Sequence, residues 1–243
     1  MDASWNDRSS EIASELKAAF SMVIIGVSSV PAGGKSTVAA HLADLGATWI
    51  NADRVAHAVL ETPEITKLVA AYFGPTISGS QGQIDRRQLA KKVFGDDDPS
   101  RQGLRYLESL IHPSTRQLMT EMITQADQAN ACAVTLDVPL LFESGWASSC
   151  DEILFIDTPQ RIQSSEAERR GWSAEALILR QSRQMPIEDK RRLSTRTIPN
   201  DGTLEDLKLQ ITIFWHELTD ALASSPESKS ADPHCHPFRQ RAH

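Results

Sequence analysis

The most constraining stretch is "MVIIGVSSVPAGGKSTVAAHLADLG", residues 22–46. A short Val/Ile-rich run gives way to a loop of small residues, then to a helix-like pattern through Val38, Ala39, Leu42 and Leu45 that stops at Gly46. Strand, glycine loop and helix in that order define a phosphate-binding loop. Glycine there lets backbone N–H groups approach phosphate oxygens closely at the positive end of a helix. Gly34-Lys35-Ser36 supply the end of the pattern G-x-x-x-x-G-K-[ST], whereas Ser29 stands where it begins with glycine. Val30, Pro31 and Ala32 occupy places that glycines often share, and Pro31 brings no N–H. The competing reading is a glycine-containing turn between a strand and a helix.

Beyond this unit, strand-like and helix-like segments alternate, the order of a parallel α/β sheet. The predicted strands are Met22–Gly26, Thr48–Asn51, Ala131–Val138 and Glu152–Ile156. The mainly helical stretch from about 55 to 128 is too long for a simple crossover and reads as an inserted subdomain. A second helical excursion, about 160–197, is dense in Arg and Glu and is expected to project from the core as a lid. The first twenty residues read as an N-terminal extension with a short amphipathic helix through Ile12, Leu16, Ala19 and Phe20. Residues 223–243 read as a polar, disordered tail.

The chain has 243 residues, enough for one large domain, and 40% hydrophobic residues for its core. A net charge of -7 argues against a general nucleic-acid or acidic-membrane binder. The N-terminus carries acids where a secretory signal needs a basic start, no apolar run approaches a membrane span, and three cysteines without C-x-x-C spacing suggest neither a disulfide framework nor a zinc ribbon. A cytoplasmic protein is the expectation, a monomer or weak homo-oligomer. His234-Cys235-His236 could suggest metal, but adjacent residues in a polar tail rarely enclose an ion.

Five further segments, "INADRVAHAVL", "DRRQLAKKVF", "LESLIHP", "DVPLLFESG" and "RQMPIEDKRR", follow the loop in the order and approximate spacing of dephospho-coenzyme A kinases. From about Met22 to Leu207 the chain resembles that family. The resemblance implies a P-loop nucleotide-kinase-like α/β fold of three layers with a parallel sheet, an inserted helical substrate domain and a mobile helical lid, the kinase domain spanning 21–222. It implies transfer of the ATP γ-phosphate to the 3′-hydroxyl of dephospho-coenzyme A, the last step of coenzyme A synthesis, with Mg²⁺. Two alternatives stay open: an ATP- or coenzyme A-binding protein with impaired catalysis, and another small-molecule P-loop kinase.

Ala32, Gly33, Gly34, Lys35, Ser36 and Thr37 are the predicted ATP contacts. Lys35 reaches the β- and γ-phosphates, and Ser36 ligates Mg²⁺. Asp53 matches the second acid of the family's "DAD" segment and is the candidate base for the ribose hydroxyl, or else a helix N-cap; the first acid is replaced by Asn51. Asp137 looks like the acid that holds Mg²⁺ or its water, or a turn residue before Pro139. Glu143 is a substrate-binding candidate within a segment whose leucines could equally be core. Arg86 could bind a substrate phosphate or pair with Asp85, and His112 could shape the substrate site or cap a helix starting near Pro113. Arg169 and Arg180 fall on family lid arginines and are the candidate transition-state cations, an earlier lid arginine having become Ser165. Asn200, in the turn-like "PNDGT", falls where the family places adenine.

Overall fold

The computed structural model describes residues 22–79, 83–95 and 97–224. The predicted N-terminal helix and most of the predicted tail lie outside them, although Ala223 and Ser224 still belong to a helix. Contacts divide the chain into two compact units, one formed by residues up to Ile50 together with those from Thr124 onward, the other by Asn51–Ile123.

The first unit is built on a parallel sheet of five strands: β1 (Val23–Ser29), β2 (Thr48–Asn51), β3 (Ala133–Asp137), β4 (Glu152–Asp157) and β5 (Arg196–Pro199), in the order β2-β3-β1-β4-β5. Every residue of β3 and all but the first of β1 are buried, which suits central strands covered on both faces. Val27 pairs with Asp137 on one side of β1, and Ser29 with Ile156 on the other, so that one edge collects the carboxyl ends of three strands. Helix α1 (Lys35–Asp44) buries Val38, Ala39 and Leu42 toward the core. The last helix, α9 (Leu204–Ser224), presents Leu207, Ile211, Phe214 and Trp215 to the same cluster around Ile25, Val27, Leu154 and Ile156. Each such side chain removed from water contributes about 1.5–3 kcal/mol, which is why the sheet and these two helices form one core.

Two expectations need correction. β1 does not stop at Gly26: a Cβ there would lie 2.8 Å from both Cys150 Sγ and Leu141 Cδ2, so this glycine serves close packing within a strand rather than a turn. The lid does not extend to 197, because Arg196 and Thr197 pair with Leu154 and Phe155 as part of β5. Only Ile198 of β5 is buried, an edge strand whose polar sequence resembles a loop.

In the Asn51–Ile123 unit, α2 (Ala52–Leu60) starts where the Asn51 side chain accepts the Arg54 N–H at 2.9 Å. It is followed by α3 (Pro63–Phe73) and α4 (Arg86–Val93), the latter capped by Asp85, which accepts the N–H groups of Arg87 and Gln88. Leu60, Val69, Ile77, Ile84, Leu89 and Val93 form its core, against which Leu104, Leu107 and Leu110 of α5 pack. Helix α5 runs unbroken from Asp98 to Gln128 with Pro113 inside it. The helix start expected near Pro113 is therefore absent, and His112 caps nothing there; the apolar periodicity on both sides carries the helix through the one hydrogen bond that proline forfeits.

Among the described residues no helix is long and apolar enough to cross a membrane.

Candidate active site

The loop between β1 and α1 is built as its residue types require. Gly34 adopts φ 89°, a conformation glycine takes without strain, and it is the N-cap of α1 with no side chain capping it and no acid in the first helical turn. The positive end of α1 is thus open to an anion. Thr37 and Val38 donate their N–H groups to the Gly34 carbonyl at 3.0 and 3.1 Å, closing the first turn. Lys35 is half-buried at its start, and the Ser36 hydroxyl donates to Asp137 Oδ2 at 2.9 Å. Asp137 ends β3 at 3% exposure. A hydroxyl beside a buried carboxylate at the foot of a phosphate loop is a hard-oxygen donor set suited to a divalent ion whose remaining ligands are phosphate and water. Among the described residues no cluster of three or more His, Cys, Asp or Glu could hold a metal by itself.

The substituted front half of the loop is held by side chains. Ser29 Oγ contacts the carbonyls of Gly33 and Ile156 at 3.1 and 3.0 Å, and a Cβ on Gly33 would lie 1.9 Å from that oxygen. Serine at the start of the pattern and glycine at 33 are therefore two halves of one arrangement. Ala32 sits at φ 58°, an uncommon place for alanine, and packs with Ala167, Leu177 and Trp172. Thr158 Oγ1 donates to the Gly33 carbonyl at 2.8 Å, and Gln163 Nε2 to the Pro31 carbonyl at 2.9 Å.

Those last contacts correct the picture of a lid projecting from the core. Its three helices are α6 (Gln160–Arg169), α7 (Ala174–Ser182) and α8 (Ile187–Leu193), and Gln163 and Ala167 of α6 and Leu177 of α7 are buried against the loop. In α8 the pattern of charges conceals a buried residue. Lys190 is 2% exposed, and its Nζ donates to the Ser29 carbonyl at 3.3 Å and to Gln184 Oε1 at 2.6 Å. Glu143 Oε1 lies 3.9 Å from that ammonium and accepts the Met185 N–H at 2.5 Å, while Glu143 Oε2 is buried without a hydrogen bond. Burial pushes the Lys190 pKa down, Glu143 opposes this, and the positive charge of Lys35 lowers it further. Neighbouring Arg191 makes two hydrogen bonds to the Asp157 carboxylate, at 3.0 and 2.9 Å, and this partner holds its pKa up.

The remaining candidates are placed as follows. Asp53 is exposed in the first turn of α2, and its capping alternative falls because Asn51 is the N-cap. Arg86 does not pair with Asp85, which caps α4; it pairs with Glu61 at 2.5 Å and lies 3.4 Å from His57 Nδ1. His112 is exposed within α5. Arg169 pairs with Glu166 at 3.3 Å, and the Arg180 guanidinium lies 4.2 Å from the centre of the Trp172 ring, so both stand on partners within the lid helices. The Asn200 amide donates to Thr158 Oγ1 at 3.0 Å, and a Cβ on Gly34 would lie 3.3 Å from its Nδ2. It flanks the loop itself. Lys190, Gln163 and Thr158 are the residues that sequence reasoning left without a role at the loop. For Lys190 a signal existed, since it lies within "RQMPIEDKRR".

A parallel sheet with a lysine-bearing loop after its central strand, an open helix end and a serine–aspartate pair define a P-loop kinase. The dephospho-CoA kinase family model matches residues 23–206. A dephospho-CoA kinase of Rhodopirellula baltica is 42% identical over 186 residues, 76% of this chain and 86% of the relative. One from Thermus thermophilus is 36% identical over 81% of this chain and 92% of its own length. Among solved structures, the Thermus thermophilus protein TT1252 superposes with a TM-score of 0.66 at 34% identity, covering 81% of this chain and 98% of that one. The dephospho-CoA kinase from Campylobacter jejuni gives 0.59 at 25%, covering 80% and 96%. The chain belongs to the dephospho-CoA kinase family, and so to the ATP-using kinases that complete coenzyme A synthesis.

Proposed function

We propose that this chain transfers the γ-phosphate of Mg·ATP to the ribose 3′-hydroxyl of dephospho-coenzyme A, releasing ADP and coenzyme A, and that it works in the cytoplasm. The observation that carries the reading is the loop: an uncapped helix N-terminus at Gly34, Lys35 beside it, and the Ser36–Asp137 hydrogen bond at 2.9 Å. Phosphoryl transfer needs little covalent chemistry from a protein; it needs charge and alignment around the transferring group. The Lys35 ammonium and the N–H groups of Gly34, Lys35 and Ser36 neutralise and orient the phosphates. Ser36 and Asp137 would hold the divalent ion, directly or through water, and when bound that ion neutralises charge building on the β- and γ-oxygens.

Asp53 accepts the proton of the attacking hydroxyl. Its exposed place in the first turn of α2 supports this, Asn51 having taken over the cap. The buried Oε2 of Glu143 is an acceptor for a substrate donor. Arg86 and His112 contribute to substrate binding, Asn200 to the nucleotide, and Arg169 and Arg180 to the closing cationic shell. Each of the two arginines gives up only an exposed ion pair or a ring contact to do so.

Two variants test the roles. Lys35→Ala is expected to lower kcat/KM at least about a hundredfold, and Asp53→Asn to lower kcat by about 10²–10⁴. Both should keep the wild-type melting temperature. Turnover within threefold of wild type in either would remove that residue from the mechanism.

A further inference from the structure

We propose that Lys190 is a positioning residue for phosphoryl transfer: from its buried place on the Ser29 carbonyl it fixes the front of the phosphate loop and adds a second positive charge that tightens ATP binding. The inference rests on the phosphate-loop reading and extends it to a lid residue.

The argument starts from the cost of placing a lysine there. An ammonium at 2% exposure forfeits its hydration, and an apolar side chain of similar length would fill the space without that loss. It donates hydrogen bonds to neutral oxygens, the Ser29 carbonyl and Gln184 Oε1, and the carboxylate oxygen Glu143 Oε1 is 3.9 Å away and already accepts the Met185 N–H. The charge is therefore only partly offset where it sits. Lys35 lies near enough to repel it, so the groups facing Lys190 are one acid from the segment after β3 and one base from α1. A polyphosphate on Lys35 supplies the missing negative charge, and the repulsion between the two ammonium groups becomes attraction to a shared anion.

The backbone points the same way. The carbonyls of Ser29, Pro31 and Gly33 are taken by Lys190, Gln163 and Thr158, side chains from α8, α6 and the segment after β4. Pro31 lacks an N–H and Val30 and Ala32 replace freer glycines, so this front half depends on those side chains for its shape. Of the three, Lys190 alone also carries charge. It differs in kind from the lid arginines, which stand at exposed places and can swing, whereas Lys190 is in position before the nucleotide arrives.

Because the fixed charge acts on ATP in the ground state and the transition state alike, its loss should fall on KM for ATP rather than on kcat. Lys190→Met is expected to raise KM for ATP about tenfold or more, with kcat at saturating ATP within about threefold and KM for dephospho-coenzyme A unchanged. Lys190→Arg, which keeps the charge, should recover most of the affinity. A titration of the unaltered protein keeps the test open if Lys190→Met fails to fold. Isotope-detected titration of the lysine ammonium should show its pKa rising when ADP is bound, a response that a purely structural lysine would lack. Unchanged KM in Lys190→Met, an equal loss in the arginine variant, or a pKa indifferent to ADP would each overturn the proposal. Should Lys35→Ala bind ATP as wild type does, the phosphate-loop reading itself would fall; should only Lys190→Met do so, this inference alone would.

Discussion

Gly33→Ala is the perturbation that most sharply tests how this unusual loop is built. A Cβ at position 33 would lie 1.9 Å from Ser29 Oγ, 2.8 Å from the Val30 carbonyl oxygen and 2.9 Å from Val30 Cγ2. The hydroxyl can turn aside only by leaving the carbonyls of Gly33 and Ile156, at about 1 kcal/mol for the lost hydrogen bonding. The contacts with Val30 are a separate overpacking cost of about 1–2 kcal/mol. Gly33→Ala should therefore destabilise the protein by about 2–3 kcal/mol. Ser29→Gly alone should cost about 1–2 kcal/mol, from the same hydrogen bonding and the added freedom of glycine in the unfolded chain. In the double variant the hydroxyl's displacement is no longer required while the Val30 contacts remain, so it should be about 1 kcal/mol more stable than the sum of the single changes. Urea unfolding of the four proteins, read as midpoints with a common slope, measures this coupling. Strict additivity would refute the claim that Ser29 and Gly33 form one compensating pair.

Two further outcomes follow from the geometry. Ser36→Ala removes the donor to Asp137 and one oxygen of the proposed ion site, so the Mg²⁺ concentration giving half-maximal rate should rise about tenfold, measured by metal titration of turnover; an unchanged titration would take Ser36 out of the site. Asp206 accepts the N–H and the hydroxyl of Thr203 at the start of α9, and these bonds lower its pKa in the folded protein. A depressed carboxylate stabilises the fold above its unfolded pKa and loses that contribution as the pH falls through the folded one. Asp206→Asn should thus melt lower than wild type at neutral pH, with the difference shrinking in acid; a difference that grows on acidification would contradict the assignment.

The loop and the first four strands of the parallel sheet were legible because they rest on local physics. Apolar runs ending in small residues read as strands, and Gly-Lys-Ser before a helix pattern reads as a phosphate site whatever surrounds it. β5 was not legible, since an edge strand with one buried residue, Ile198, carries no apolar alternation. Helix α5 was misread at Pro113 because a local signal for a helix start was overridden by packing along the helix on both sides. The lid's arginines read as cations on a projecting segment, and Arg169 is exposed. Lys190 sits in the same run and is buried, a difference that depends on the Ser29 carbonyl and Gln184 meeting it from elsewhere in the chain. Asn51, which as a lost acid weakens the family's "DAD" segment, has a local use that the sequence does contain: asparagine is a good N-cap, and it caps α2.

The central claim is tested most directly by incubating the purified chain with Mg·ATP and dephospho-coenzyme A and locating the added phosphate by mass spectrometry. The account predicts coenzyme A phosphorylated at the ribose 3′-position, with ADP formed in equal amount. Folded protein that binds ATP but yields no 3′-phosphorylated product would contradict it.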